Sequence, residues 1–314
     1  MEDNSMRQLN SIEKVLFLII VAGTLVISGS LAAQAQSGPS LSVSYDLMPY
    51  QDFDNPIIDT VMGTDTTFLD NPQMQLRKLR ASLSYPIIFS EGRTVLVNDF
   101  SYQLMEFRYR QFVYPLERLH SASYTLMLQH RLSEKWSLWA LSTPSLASDL
   151  EAEVSEDDFN FQAAVIFIHH FSGRFSLGFG VAYSTQFGSA EPIPLLGFDW
   201  NNGRNLMAKA ILPVSLEFWY RPSQKLDLGL LVSGDGNNFQ GDPDIYEVVN
   251  PELRYTMLTV GPAARISLSK HIRLNIEGGI IGLHRFEFFD GDNEAASFDL
   301  KPSHYVRVGL QYSR

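Results

Sequence analysis

The chain has 314 residues, with 24 Lys and Arg against 35 Asp and Glu, a formal net charge of −11 at pH 7, and no cysteine. That acidity argues against a nucleic-acid partner, whose phosphates need clustered basic side chains. The missing thiols exclude a disulfide framework and a lipid-modified N-terminal cysteine.

In chain order, the first predicted element is a leader. Residues 1 to 14 are polar and include Arg7 and Lys14, residues 15 to 31 are continuously apolar or small, and Ala33-Gln34-Ala35 supplies a small-x-small cleavage site. This reads as a signal peptide over 1–35, cut before Gln36. An uncleaved anchor is the alternative, because Glu2, Asp3 and Glu13 make the polar region poor in positive charge. Residues 36–314 stay acidic and contain no Pro/Ser-rich linker, so they read as one domain.

That domain carries period-two alternation about a dozen times. Twelve strands are predicted, at 40–49, 75–87, 94–109, 120–132, 136–143, 159–171, 175–187, 206–221, 226–234, 254–268, 272–285 and 297–312. Phe175, Leu177, Phe179, Val181 and Tyr183 share one face of their strand and Ser176, Gly178, Gly180, Ala182 and Ser184 the other; the last strand sets His304, Val306, Val308, Leu310 and Tyr312 against Tyr305, Arg307, Gly309 and Gln311. The connections alternate short and long: 90–93, 133–135, 172–174, 222–225 and 269–271 are short, whereas 50–74, 110–119, 144–158, 188–205, 235–253 and 286–296 are long. A soluble sandwich also shows alternating faces. The ordered short and long connections, with an even strand count, predict instead an all-β fold: a transmembrane antiparallel up-and-down barrel of about 12 strands in a bacterial outer membrane. Trp136, Phe171, Phe175, Trp219 and Tyr220 beside short turns, and Tyr109, Phe159, Phe187 and Tyr255 beside long loops, are read as two interfacial girdles. Tyr312, two residues from the end, is read as a displaced form of the terminal aromatic that the barrel-assembly machinery recognises.

The runs Pro194 to Trp200 and Ala210 to Tyr220, and the hairpin Ser223 to Gly229, resemble an outer-membrane β-barrel family of unknown function. The resemblance implies location and fold and brings no catalytic residue. Within it, Pro213 lacks a ladder donor and is read as a bulge or a local gap in the wall. Gly178, Gly180, Gly229, Gly278 and Gly279 are read as barrel curvature.

Function would be written in the lumen. The polar faces place Lys78, Arg80, Arg131, Arg265, Arg273 and Arg307 there with Asp46, Asp99, Glu217, Asp227 and Glu277. Both signs together predict either a salt-bridged, filled interior or a narrow pore whose arginines attract anions. The long loops are acidic: Asp149, Glu151, Glu153, Glu156, Asp157 and Asp158 in one, Asp52, Asp54, Asp59, Asp65 and Asp70 in another. Neither Asp290 to Glu294 nor Asp235 to Asn237 has the spacing of a calcium loop, so these are read as solvated loops beside lipopolysaccharide. No phosphate-binding glycine loop or paired metal-ligand motif appears, and no cofactor or metal is expected. His170-Phe171-Ser172 falls at a turn and His284 is read as lipid-facing with no serine beside it, so the chain is not read as an enzyme. The resulting expectation is passage or binding of small solutes; the alternatives are an adhesive barrel working through its loops and a lipid-modifying enzyme.

Overall fold

The computed structural model describes residues 38–54, 71–111, 116–185, 192–243, 250–291 and 293–314; the leader read over 1–35 lies outside the described residues. The strands are β1 Ser40–Leu47, β2 Gln51–Asp52, β3 Gln73–Phe89, β4 Thr94–Arg110, β5 Arg118–Arg131, β6 Trp136–Ser148, β7 Phe159–Ser172, β8 Phe175–Ser184, β9 Ile193–Asn201, β10 Leu206–Leu212, β11 Ser215–Ser223, β12 Leu226–Gln240, β13 Pro251–Ser267, β14 Ile272–Asp290, β15 Asn293–Asp299 and β16 Ser303–Ser313. All but the accessory β2 and β15 join one antiparallel ladder, and β1 pairs with both β3 and β16, which closes fourteen strands into a barrel.

Alternation explains the wall. Leu177, Phe179, Val181 and Tyr183 of β8 and Val306, Val308, Leu310 and Tyr312 of β16 are exposed, while their neighbours Gly178, Ala182, Tyr305 and Gly309 are buried. Apolar surface on this scale is not stable against water. It is the lipid-facing exterior of a transmembrane barrel, in which the closed ladder also satisfies the backbone groups that hydrocarbon cannot.

Two more strands are present than the twelve expected. The predicted strand 206–221 is a hairpin, β10 and β11, turning at Pro213 and Val214, with the Val214 N–H donating to the Ile211 carbonyl at 2.7 Å. Pro213 therefore makes no bulge and no gap in the wall; at a turn its missing N–H costs no ladder bond. The predicted long loop 188–205 contains β9, and the tight connection Asn202 to Asn205 that follows it is a sixth short turn. The girdles also change. Trp219 and Tyr255 are buried on the inner face, and Tyr109 packs against the interior cluster, while Phe159, Phe171 and Tyr220 stay outside. Adjacent residues on a strand point to opposite faces, so Trp219 and Tyr220 cannot share one girdle. Phe187 lies outside the described residues.

The wall is uneven at the end that carries the long loops. Strands β8 to β11 have 10, 9, 7 and 9 residues, whereas β12, β13 and β14 have 15, 17 and 19. The first residue of β11, Ser215, pairs with Ser233, so β12 runs from Asp235 to Gln240 without a partner in β11. That stretch crosses to β6, where Gln240 bridges Ser148 in parallel and its carbonyl accepts from the Asp149 N–H at 3.2 Å. The tall strands thus close on themselves above the short ones. Their inward side chains, including Met74, Leu76, Met105, Phe107, Phe239, Met257 and Phe286, pack as one apolar cluster that fills the loop end of the barrel.

Candidate functional site

Directly beneath that cluster lies a lattice of ion pairs. Register sets it: Asp46 of β1 stands opposite Lys78 of β3 on one side and Arg307 of β16 on the other, and Arg307 stands opposite Glu277 of β14. Asp46 is fully buried and accepts from Arg307 Nε at 2.7 Å and NH2 at 2.8 Å and from Arg80 NH1 at 2.7 Å. Glu277 accepts from Arg307 NH1 at 3.1 Å and from the Tyr305 hydroxyl at 2.5 Å. Asp235 completes the set from the crossing part of β12. It accepts from Lys78 Nζ at 2.7 Å and also from Arg80, while Lys78, itself fully buried, donates to the Tyr255 hydroxyl. The fully buried Asp46 and Lys78 are tolerated there because each meets an opposite charge in good geometry.

A second group lies nearer the short-turn end. Glu217 of β11 accepts from the Trp219 indole N–H at 2.7 Å and from Arg265 NH2 at 3.4 Å, and the Arg265 guanidinium stacks 3.6 Å from the Trp219 ring. Gly229 makes the room: a Cβ there would lie 2.6 Å from the indole. Arg221 grips Asp227 through two bonds of 2.6 and 3.1 Å, and Lys209 sits 3.4 Å from Asp199.

These groups line a cavity of about 710 Å³. Of the eleven expected lumen residues, Arg80, Asp99, Glu217, Asp227, Arg265, Arg273, Glu277 and Arg307 border it; Asp46 and Lys78 are sealed behind it, and Arg131 stands exposed at the turn end of β5. The cavity reaches the turn-end mouth at Arg221, Arg273, Gln311 and Ser313. Among the described residues neither Arg131 nor Arg273 forms an ion pair, so the mouth carries the uncompensated positive charge while the deeper arginines are neutralised by partners.

Loop length alone places Asp235 in an external loop, and unbroken alternation places His284 on the lipid face. Both face inward. Asp235 continues the inner face of β12 in phase with Asp227, Leu231 and Ser233, a signal masked by the loop-like run Gly234 to Asn238. For His284 the cause is a bulge: Leu258 pairs with Leu283 but Thr259 pairs with Ile281, so Gly282 is extra and every residue beyond it changes face. His284 is buried, and its Nδ1 lies 2.9 Å from Gln51 Oε1. At the turn end, His170 hydrogen-bonds Ser137 and Ser176, each at 2.8 Å, rather than Ser172.

The acidic loops are used as caps. Asp158 accepts from the Ser155 N–H at 2.6 Å, Asp149 from the N–H groups of Glu151 and Asp242 at 3.2 and 2.9 Å, and Asp290 from that of Asn250 at 3.0 Å. Burial pushes the Asp149 carboxyl above the usual carboxylate range, partly offset by its two N–H donors. No group of three or more acidic or His side chains suited to a metal occurs among the described residues; Asp59, Asp65, Asp70 and Asp292 lie outside them.

A family model described as a domain of unknown function (DUF6268) matches residues 93–313, a span that contains the three runs noted between Pro194 and Gly229. No curated protein matches the chain. Similar solved structures include an outer membrane channel from Pseudomonas putida F1, at 9% identity, 88% of this chain, 96% of that chain and a TM-score of 0.46. The Pseudomonas putida toluene transporter TodX is 9% identical, with 94% and 97% of the two chains covered and a TM-score of 0.39. A KdgM porin in complex with disordered oligogalacturonate is 9% identical, with 87% and 99% covered and a TM-score of 0.36.

Proposed function

We propose that this chain, which belongs to the DUF6268 family of domains of unknown function, is a bacterial outer-membrane channel that takes small polar solutes into its lumen, with the long loops outside and the short turns in the periplasm. One observation carries the reading. A cavity of about 710 Å³ lined by hydroxyls and by both charge signs opens at one end of the barrel, and a merely filled interior has no use for such a space. In this reading residues 1–35 direct export, the barrel-assembly machinery inserts the chain, and lipid and lipopolysaccharide surround it.

Ion pairing decides which residues set selectivity. Arg80, Arg265 and Arg307 are held by carboxylates, so their charge is compensated; Arg131 and Arg273 at the mouth are free to act on a passing ion. Purified protein in a planar bilayer is expected to give discrete conductance steps with a mild anion preference. The double variant Arg131→Ser/Arg273→Ser is expected to lower the anion-to-cation permeability ratio by roughly two- to fivefold, whereas Arg265→Lys leaves it near wild type. Silent but inserted protein would overturn the reading.

A further inference from the structure

The cavity does not end where a straight pore would. Its inner limit is set by Ser121, Gln162, Val214, Gly234, Gly236 and Asn237, which lie around the top of the short strands and the underside of the crossing part of β12. Along the barrel axis the way is blocked by the ion-pair lattice and then by the packed apolar cluster. Over the short β10–β11 hairpin, by contrast, one layer of backbone among the described residues separates cavity from loop end: residues 235 to 240 of β12, which bridge from the last bond to the hairpin, Gly234 N–H to the Val214 carbonyl at 3.1 Å, across to β6.

We propose that solute crosses the loop end over the Pro213-Val214 turn, beneath this strap, and that the route opens when the strap releases β6 and β7. The proposal rests on the channel reading above.

The contacts have the character of a clasp. On the far side the strap is held by a single backbone bridge, Gln240 to Ser148, by the Asn160 amide donating to the Asn238 carbonyl at 2.9 Å, by the Asn237 amide donating to Ser121 Oγ at 3.1 Å, and by Asp235 on Lys78 and Arg80. The bridge and the two amide bonds are uncharged polar contacts that can break and re-form, whereas the Asp235–Lys78 pair and the six paired positions with β13, from Asp235 to Gln240, keep the strap attached to the tall wall when the clasp is undone. Gly234 and Gly236 flank Asp235 where β12 leaves β11, a pair of small residues suited to absorb a change of direction. Of the strap's residues 235 to 240 only Phe239 belongs to the apolar cluster, so release of the far edge disturbs less apolar area than opening along the axis.

The chain contains no cysteine, so an engineered pair reports by itself. The variant Ser148→Cys/Gln240→Cys places thiols on the bridging partners. Oxidised, it is expected to lose roughly nine-tenths of its conductance in a planar bilayer, and a reductant added to the same membrane is expected to restore it, so a folding defect cannot mimic the result. A second variant, Asn160→Ala/Asn237→Ala, loosens the clasp and is expected to raise the open fraction by roughly two- to tenfold. Equal conductance in wild type, in the locked and the reduced double-cysteine variant and in the loosened variant overturns the strap and leaves the channel reading standing. Silence of the inserted wild type overturns the channel reading, and the strap proposal falls with it.

Discussion

Asp46→Ala is expected to destabilise the barrel by about 3–5 kcal/mol, the range for removing one member of a buried ion pair. The carboxylate has no exposed surface and accepts three charge-assisted bonds from Arg80 and Arg307. Without it the lattice around Lys78, Arg80 and Arg307 holds three cations against Asp235 and Glu277 alone. Nothing in the apolar cluster above can solvate the surplus. The check is the urea midpoint of unfolding from lipid vesicles, followed by tryptophan fluorescence and converted through the slope of the transition. A loss below about 1 kcal/mol would mean that lumen water screens these charges as it screens surface pairs. Double replacement, Asp46→Ala with Arg307→Met, is expected to cost less than the sum of the single changes, because it removes the orphaned charge as well.

Gly279→Val is expected to abolish assembly, leaving no compact form that shifts on heating in gel electrophoresis. Strands β13 and β14 approach so closely here that a Cβ on Gly279 would lie 2.1 Å from the Val260 carbonyl oxygen and 2.5 Å from the Gly261 Cα. Gly261 has the same problem against Gly278, at 2.1 Å. Backbone cannot yield as a side chain tip can, so the cost exceeds the roughly 1–3 kcal/mol of ordinary overpacking. Gly282, three residues on, is the control. A Cβ there meets nothing within 4 Å, and Gly282→Ala is expected to fold like wild type.

Much of this architecture is legible in sequence because membrane and lumen impose opposite demands on alternate residues. The outward sets of β8 and β16 lie as their alternation predicts, and their stretches of unbroken phase are the reason. Legibility fails where phase or loop length misleads. β10 and β11 form one apolar run in the sequence, since their connecting turn is two residues long and sits on the side where every other connection is long. His284 changes face through one extra residue in β14, and a bulge leaves no mark in composition. The eight expected residues around the cavity were reachable by phase alone, but their partners were not. Which arginine is neutralised depends on register between strands far apart in sequence, and Asp235 reaches Lys78 only because β12 crosses the barrel.

The pairing of β1 with β16 bears on how the molecule is made. Ser40 lies opposite Ser313 and Leu47 opposite Val306, so the first described strand finds one of its two neighbours only in the last. Every other barrel strand can dock onto a hairpin partner as the chain emerges. Joining these two ends requires closing nearly the whole polypeptide into a loop, the slowest kind of contact to form. Until then β1 and β16 are bare edges open to other chains. The Asp46–Arg307 pair, 261 residues apart, is therefore a closing signal: it forms only when the first and last barrel strands meet, and that meeting is the condition for a sealed wall.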